Sequence, residues 1–248
     1  MKYAVVFLSL GAVCAGYALG LNGAARFVLV WCAVSFAGVG LAYAGLGPRL
    51  FLKRGNGSLP PLSYFLCAPY HLLNTVALFV FRRGTREHAF DRIASNVYLG
   101  CRLHHSDAPT LARLGVCSVL DVCAEFGETE PLRRLRYLSL PVLDTDASSL
   151  KTLQIGADWL QQETAIGSVY VHCALGHGRS ALFVAAFLLQ SGRVRTPDEA
   201  VAFIKEQRPG IKLHPKQRTA LQQFAEIHLL PMHAAGTVSN DSLDDFRP

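Results

Sequence analysis

Two long uncharged stretches near the start of the chain constrain its architecture more than any other feature. No charged residue occurs from Tyr3 to Ala25, and none occurs from Phe27 to Pro48. Each stretch exceeds the roughly 20 apolar residues that a helix needs to cross a bilayer. A cleaved secretory signal is the alternative for the first stretch, but a second apolar stretch follows it after a short turn, where a soluble domain would be expected. We therefore predict a transmembrane hairpin of two helices over residues 1–50.

The basic residues that flank these stretches predict the orientation of the hairpin. Lys2 precedes the first stretch, Arg49, Lys53 and Arg54 follow the second, and Arg26 alone lies between them. Cytoplasmic loops of membrane proteins carry an excess of lysine and arginine. We therefore expect a multi-pass membrane protein in which both ends of the hairpin, and everything that follows it, face the cytoplasm.

The segment 51–87 is expected to link the hairpin to the rest of the chain. Most of it lacks charge, but its prolines, His71 and Asn74 suit the centre of a bilayer poorly. Only 12 residues separate Pro69 from the first of a group of arginines. We predict a helix in the membrane interface with its arginines among the lipid headgroups. A third span is the alternative, although it would place three arginines on the outer side: Arg82, Arg83 and Arg86.

Charge and cysteine content limit the functional classes that are open to the chain. Only 17% of the 248 residues are charged, and the formal net charge is a modest +6. No signature of nucleic-acid binding accompanies this charge, so we assign it to an anionic membrane surface and to phosphorylated substrates. The seven cysteines form no regular framework, and their odd number argues against complete pairing. A reducing compartment is expected.

From about residue 88 the pattern becomes that of an alternating α/β domain, which we expect to extend to residue 230. Apolar runs predict buried strands at residues 96–100, 118–123, 135–142 and 167–173. Helices are predicted at residues 107–115, 148–162, 180–192, 197–207 and 215–230, the first with Ser106 as its N-cap. This order predicts a central sheet flanked by helices. The polar residues 231–248 are expected to form a disordered tail.

The ten residues VHCALGHGRS, at positions 171–180, concentrate the chemistry of the chain. A buried strand delivers Cys173 into a glycine-containing turn that leads directly into a helix. The N–H groups of such a turn and the helix N-terminus point at one spot, where a phosphate can bind. The same field stabilises a thiolate, so Cys173 is predicted to be an acidic nucleophile. The residues predicted to form the phosphate-binding loop are Ala174, Leu175, Gly176, His177 and Gly178.

Three further side chains of this segment have predicted roles. Arg179 comes round the loop and can offer two N–H groups to phosphoryl oxygens. Ser180 can donate a hydrogen bond to the cysteine sulfur, and His172 is expected to hold the backbone of the loop from behind. A cysteine followed six positions later by an arginine is by itself weak evidence for such a site. The full string His-Cys-x-x-Gly-x-x-Arg-Ser between a strand and a helix is far more demanding.

On these residues, the sequence resembles the cysteine-dependent dual-specificity phosphatases of the protein tyrosine phosphatase superfamily. The resemblance covers roughly residues 91–230 and takes in NVYLG, the loop Ala124-Glu125-Phe126, PVLDTDASSL and RPGIKLHPKQRTALQQF. Within this group, VYVHC, AVAFIKEQRPG and the downstream His-Pro-Lys-Gln look most like the phosphatidylglycerophosphate phosphatases of the mitochondrial type. The resemblance implies the α/β fold of that family, a phosphocysteine intermediate, and no metal or other cofactor.

A cysteine-dependent phosphatase also needs an acid that protonates the leaving alkoxide. In the family that the chain resembles, this acid is an aspartate that follows a strand upstream of the cysteine. Asp144 in PVLDTD matches this place, 29 positions before Cys173. Asp146 is the alternative, and capping of a loop is the structural role that either aspartate could have instead.

The predicted loop contains no lysine, which weakens a highly charged inositol phosphate as substrate. We expect a membrane-anchored phosphatase that acts on a phospholipid phosphomonoester, with the hairpin confining the site to the bilayer surface without shaping it. A phosphoprotein phosphatase at the membrane is the first alternative. An inactive phosphate-binding adaptor is the second.

Two other clusters of polar residues were weighed against this interpretation. The segment GCRLHH holds Cys101, His104 and His105, but no second pair lies at the spacing of a structural zinc site. We interpret these as surface loop residues and expect no metal. A basic strip before the last helix could face lipid headgroups or simply be a solvated helix start: Lys212, His214 and Lys216.

Overall fold

The first part of the chain forms the predicted helical hairpin. The computed structural model describes residues 2–234, with side chains described up to residue 228. Helices α1 (Lys2–Leu19) and α2 (Gly23–Leu41) pack along each other. Both meet the length and hydropathy required of a membrane span, and most of their residues are not covered by the rest of the protein. Two short turns of helix, Ala42–Leu46 and Gly47–Phe51, follow α2.

The linker contains the predicted helix and a short helix before it. These are α3 (Pro61–Leu66) and α4 (Ala68–Gly84), and α4 packs against α2. One face of α4 exposes a stripe of apolar side chains at helical spacing: Leu72, Leu73, Val76, Phe79 and Val80. The amphipathic character expected of this helix is therefore present. Its position in a membrane interface stays a prediction.

Five strands form the predicted central sheet. They are β1 (Phe90–Ala94), β2 (Val97–Gly100), β3 (Val116–Cys123), β4 (Arg136–Val142) and β5 (Ser168–His172). Their order is β1-β2-β5-β3-β4, and only β1 runs antiparallel to its neighbour. The register places Gly100 and Asp121 on either side of His172. The loop that carries Cys173 therefore leaves the centre of the sheet at the carboxyl edge of the parallel strands, the edge at which α/β sheets bind ligands.

Helices cover both faces of the sheet. One face is packed by α7 (Leu150–Ile166), α8 (Arg179–Gln190), α9 (Pro197–Gln207) and α10 (Pro215–Ala234), whose apolar residues form the main core. The other face carries the short helices α5 (Ala108–Arg113) and α6 (Glu130–Arg133) over a smaller core. Helix α8 is buried along 11 of its 12 residues, as its continuous apolar sequence predicted. This burial fixes the N-terminus of α8 beneath the Cys173 loop.

Several details differ from the sequence-based expectation. Ser106 does not cap α5, because a turn of 3-10 helix precedes that helix and the Asp107 carboxylate accepts the His104 N–H at 2.8 Å. The short elements β1, α3 and α6 were not predicted. Helix α10 continues to Ala234, four residues into the predicted tail, and residues 235–248 lie outside the described residues.

One hydrophobic cluster joins the hairpin, the linker and the α/β domain. Its buried members are Phe36, Val39 and Ala42 from the hairpin, Phe51, Leu59, Cys67 and Tyr70 from the linker, and Ala124 and Leu143 from the α/β domain. Burial of such side chains is the main favourable contribution to folding, so the three segments stabilise one another. The boundaries proposed at residues 51 and 88 therefore do not separate independent cores.

Candidate active site

The loop after β5 is held by its carbonyl groups. Four consecutive carbonyl oxygens accept hydrogen bonds from outside the loop at 2.9 to 3.2 Å: Ala174 from the Arg102 N–H, Leu175 and Gly176 from the Arg208 guanidinium, and His177 from the Lys212 N–H. In a trans peptide the C=O and N–H groups point in opposite directions. The N–H groups of residues 175–178 therefore point towards the interior of the loop. This geometry forms the anion cradle that the sequence predicted.

Gly176 is required by the close packing of this loop against strand β2. Its φ is +76°, and a Cβ atom at this position would lie 2.3 Å from the carbonyl carbon of Gly100. Only glycine tolerates both conditions without displacement of the strand. Arg208 supports the same part of the loop, and it is buried between the loop and Asp91, whose carboxylate lies 2.6 Å away. Sequence reasoning gave Arg208 no role, although RPG stood within the resemblance.

Cys173 lies at the base of the cradle, with its sulfur surrounded by hydrogen-bond donors. Its Sγ atom accepts the Gly176 N–H at 3.3 Å and the Ser180 hydroxyl at 3.4 Å. Burial alone would raise the pKa of the thiol. The charge of Arg179 and the hydrogen bonds from Ser180 outweigh burial, so the pKa of Cys173 is lowered from its usual value. The structure thus brings Cys173, Arg179 and Ser180 together as predicted.

The Arg179 guanidinium is oriented by a buried carboxylate that sequence reasoning did not assign. Glu125 accepts two hydrogen bonds from it, both at 2.7 Å, and the Val142 carbonyl accepts a third at 2.9 Å. Burial would raise the pKa of Glu125, but the ion pair with Arg179 lowers it, so this glutamate stays charged. The Nε atom of Arg179 is buried and makes no hydrogen bond to the part of the chain whose side chains are described, residues 2–228. An N–H group is therefore free for a phosphoryl oxygen.

The two candidate acids lie in different surroundings. Asp144 follows β4, lines the cavity above Cys173, and has one carboxylate oxygen 3.3 Å from Arg179. The Asp146 carboxylate is instead held by Lys216 at 2.8 Å. Thr145 between them adopts a φ of +58°, and the two carboxylates have different partners, Arg179 and Lys216. The geometry favours Asp144 as the acid over Asp146.

A buried network of charges lies behind the loop, on the side away from the cavity. His172 Nδ1 lies 3.3 Å from the Cys173 carbonyl oxygen, and its Nε2 lies 2.9 Å from Glu128. Burial would lower the pKa of His172, but the neighbouring carboxylates of Asp121 and Glu128 raise it, which favours the imidazolium. Lys53 of the linker pairs with Asp121 at 2.6 Å, with both side chains 1% exposed. Two cations thus balance two carboxylates beneath the catalytic loop.

The same network contains the only group of side chains with metal-binding geometry among residues 2–228, whose side chains the structure describes. The ligand atoms of Asp121, Glu128 and His172 lie within 4.8 Å of one another. Lys53 already supplies a positive charge at Asp121, and His172 pairs with Glu128, so the carboxylates are neutralised by side chains. Among the described residues, the segment GCRLHH gathers no such group. His104 and His105 are exposed as expected, but the expectation of a surface position is wrong for Cys101, which is buried against the core between the sheet and α5.

The cavity above Cys173 has a volume of about 520 Å³ and walls of different character. Its floor is the cradle, including Ala174, Leu175, His177 and Gly178. One wall comes from the segment before α10, with Lys212 and His214 of the basic strip. The opposite wall is formed by Tyr3, Phe7, Tyr43 and Tyr70 of the hairpin and α4. The expectation that the hairpin does not shape the site is therefore wrong, because its own side chains line the cavity.

His177 is the one residue of the loop 174–178 with an ionisable side chain. Its imidazole Nε2 lies 2.6 Å from the Glu87 carboxylate and its ring packs edge-on against Phe81 at the end of α4. Glu87 therefore engages the Nε2 atom of this histidine and balances the charge of its protonated form. The loop itself presents no unpaired cation to a second phosphate, in line with its lack of lysine.

Comparison with known proteins places this site in a family. Residues 97–227 match the family model of the dual specificity phosphatase catalytic domain. Phosphatidylglycerophosphate phosphatase PTPMT1 of Arabidopsis thaliana is 27% identical over 161 residues, which cover 62% of this chain and 48% of that protein. Dual specificity protein phosphatase 2 of Homo sapiens is 38% identical over 177 residues, which cover 66% of this chain and 55% of that protein. The chain thus matches about half the length of these curated relatives.

The fold comparison agrees with the sequence comparison. The crystal structure of PTPMT1 in complex with PI(5)P superimposes with a TM-score of 0.53 at 26% identity, and the match covers 58% of this chain and 99% of that one. Human DUSP28 superimposes with a TM-score of 0.51 at 24% identity, over 57% of this chain and 95% of that one. At such identity the second likeness concerns the fold alone.

Proposed function

This chain belongs to the dual specificity phosphatase family, and from this premise we propose that it is a membrane-anchored, cysteine-dependent phosphatase that hydrolyses a phospholipid phosphomonoester. Phosphatidylglycerophosphate is the substrate class that the names of two relatives suggest. In the proposed arrangement α1 and α2 span the bilayer, and the catalytic domain lies on the cytoplasmic side with the basic residues that flank the hairpin.

The geometry supports a two-step displacement. The Cys173 thiolate attacks phosphorus, while the Arg179 Nε–H and the inward N–H groups of the loop hold the phosphoryl oxygens. The bond from phosphorus to the lipid oxygen breaks, and Asp144 donates its proton to the leaving alkoxide. The Asp144 carboxylate then takes a proton from water as that water attacks the phosphocysteine. Inorganic phosphate leaves, and the thiolate and the protonated acid are restored.

The observation that carries the proposal is the fusion of the apolar hairpin to the catalytic domain. Phe36, Val39 and Ala42 at the end of α2 share a buried cluster with Leu143, which directly precedes the candidate acid. A hairpin that lies in a bilayer would therefore hold Cys173 at the membrane surface, where a lipid headgroup is at high effective concentration. A soluble phosphopeptide would gain nothing from this placement.

The experiment compares substrates under membrane conditions. Full-length protein in vesicles is given phosphatidylglycerophosphate, phosphatidate, phosphatidylinositol phosphates and a phosphotyrosine peptide, and phosphate release is measured. We expect kcat/KM to be highest for a phospholipid monoester, and Cys173→Ser to abolish release. Preference for the phosphopeptide over every lipid would contradict the proposal and favour a phosphoprotein phosphatase, the activity named in the human relative. No release from any substrate by the wild-type protein would favour the inactive adaptor.

A further inference from the structure

The wall of the cavity that faces the hairpin is a continuous row of aromatic rings. Tyr3 of α1 stacks on Tyr43 with ring centroids 5.4 Å apart, and Tyr43 stacks on Phe7 at 5.9 Å. Phe7 in turn meets Tyr70 of α4 edge-on at 5.3 Å. These four residues line the same cavity as Cys173 and Arg179. The row therefore links the apolar helices to the cavity whose floor is the phosphate cradle.

The cavity is larger than the cradle needs for a phosphate alone. Its volume of about 520 Å³ lies in the range of sites that enclose small organic molecules. Two buried polar groups of its lining have hydrogen-bonding capacity left over among residues 2–228: His214 Nδ1 has no partner, and the Asn74 amide, which has two N–H groups, lies beside the Tyr70 hydroxyl. Buried polar groups are normally satisfied, so their state points to a ligand with oxygen atoms close to the phosphate.

The position of the aromatic row relative to the spans indicates which ligand fits. Tyr3 and Phe7 lie in the first two turns of α1, and Tyr43 lies just beyond the end of α2, so all three are at the same end of the hairpin. Lys2 and Arg49 are at this end as well, as expected where a span meets headgroups. Aromatic side chains with polar tips are favoured in this zone of a membrane.

We propose that the hairpin and α4 supply the part of the active site that selects the substrate. The aromatic row of Tyr3, Tyr43, Phe7 and Tyr70 receives the glycerol and the first acyl carbons of a phospholipid monoester whose phosphate lies in the Cys173 loop. The amide of Asn74 donates a hydrogen bond to an oxygen of the same lipid. This inference rests on the proposed function, and it makes the hairpin a specificity element in addition to an anchor.

The test uses two substrates that differ only in their acyl chains. Full-length protein in mixed micelles is given dioleoyl phosphatidylglycerophosphate or the same headgroup without acyl chains. For Tyr43→Ala and Phe7→Ala, we expect the ratio of kcat/KM for the lipid to that for the deacylated substrate to fall about ten- to a hundredfold, since apolar contact is lost with the lipid only. The matched controls are Tyr17→Ala and Phe27→Ala, whose side chains are 71% and 65% exposed on the hairpin. These should leave the ratio as in the wild type.

The outcomes separate this inference from the proposed function. One contrary result is that Tyr43→Ala and Phe7→Ala lower kcat/KM for both substrates equally, and another is that they change the ratio no more than the controls do. In either case the aromatic row does not select the lipid, and the inference is overturned. Failure of the proposed function would be seen in the wild-type protein, as a preference for the phosphopeptide. Thermal unfolding of each variant in the same micelles identifies any alanine variant that loses activity because it unfolds. Such a variant is replaced by the conservative Tyr43→Phe or Phe7→Leu, which should retain the wild-type ratio.

Discussion

At the scale of single residues, the ionisation of Cys173 is the property on which the chemistry depends. Burial raises the pKa of the thiol, but the charge of Arg179 and the hydrogen bonds from Ser180 outweigh burial and lower the pKa below that of an ordinary thiol. Alkylation requires the thiolate, so its rate should rise with pH through this pKa. Ser180→Ala should move the midpoint to higher pH, because a donor that stabilises the thiolate is lost. Iodoacetamide labelling of the Cys173 peptide measures the midpoint. The control is Ser191→Ala, at the other end of α8. If Ser180→Ala has the same midpoint as this control, Ser180 does not stabilise the thiolate.

Asp144 is expected to act according to the leaving group. Asp144→Asn should lower turnover of a lipid monoester by about 10²–10³, in line with the usual effect of general acid catalysis. Turnover of an activated aryl phosphate should fall much less, because its leaving group departs with little protonation. Steady-state kinetics on both substrates measure the difference. Equal losses would indicate a structural role, and a larger effect of Asp146→Asn would transfer the assignment.

Lys53 is expected to stabilise the fold from outside the α/β domain. Lys53→Met leaves Asp121 buried without its cation, and removal of one partner from a buried pair costs about 3–5 kcal/mol of unfolding free energy. Urea unfolding in micelles measures the loss, and the exposed Lys151→Met is the control. The double variant Lys53→Met, Asp121→Asn should recover part of the stability. A loss no larger than that of Lys151→Met would contradict the role.

The residues that sequence reasoning found and those that it missed differ in their separation along the chain. His172, Cys173, Arg179 and Ser180 stand within nine positions, so one motif carries their identity and their order. The residues that hold these side chains in place lie far from them along the chain. Glu125 is 54 positions from Arg179, and Lys53 is 68 positions from Asp121. Such pairs form only when the sheet and the linker have folded. Glu125 stood within the family resemblance, but nothing in a single sequence pairs it with Arg179 or pairs Lys53 with Asp121.

At the scale of secondary-structure elements, the linker and the hairpin support the catalytic domain. A chain that starts at residue 85 lacks Lys53 and the apolar side chains that cover Ala124 and Leu143. We expect it to unfold at lower temperature than the full chain and to lose most of its activity on a soluble aryl phosphate. A chain that starts at residue 50 lacks Phe36, Val39 and Ala42 but keeps Lys53 and the linker members of the cluster, so it should retain more of that activity than the chain that starts at residue 85. Equal stability and activity of the two shortened chains would contradict the structural role of the linker.

The elements themselves were predictable where their pattern is long or continuous. β5 and α8 are apolar along nearly their whole length and were predicted within two residues of their observed bounds. β1 escaped prediction because its five residues FDRIA include two charges and lie at the edge of the sheet. α3 and α6 contain six and four residues, too few to show helical periodicity.

At the scale of the whole molecule, the chain is better described as one assembly than as an anchor joined to an enzyme. The residues that flank the apolar helices contribute a buried cation behind the catalytic loop and an aromatic wall in front of it. Hydropathy predicted the helices but not this contribution. The sequence at the end of an apolar helix does not indicate which residues of the α/β domain its side chains contact.

The central claim is that, when this protein is anchored in a membrane, its Cys173 accepts the phosphate of a lipid. Full-length protein in vesicles is mixed with phosphatidylglycerophosphate, quenched in acid within milliseconds, and digested for mass spectrometry. The account predicts phosphate on the peptide that contains Cys173, formed at least as fast as turnover and absent in Cys173→Ser. Turnover of the lipid without a phosphorylated Cys173, or with phosphate on another residue, would contradict the account.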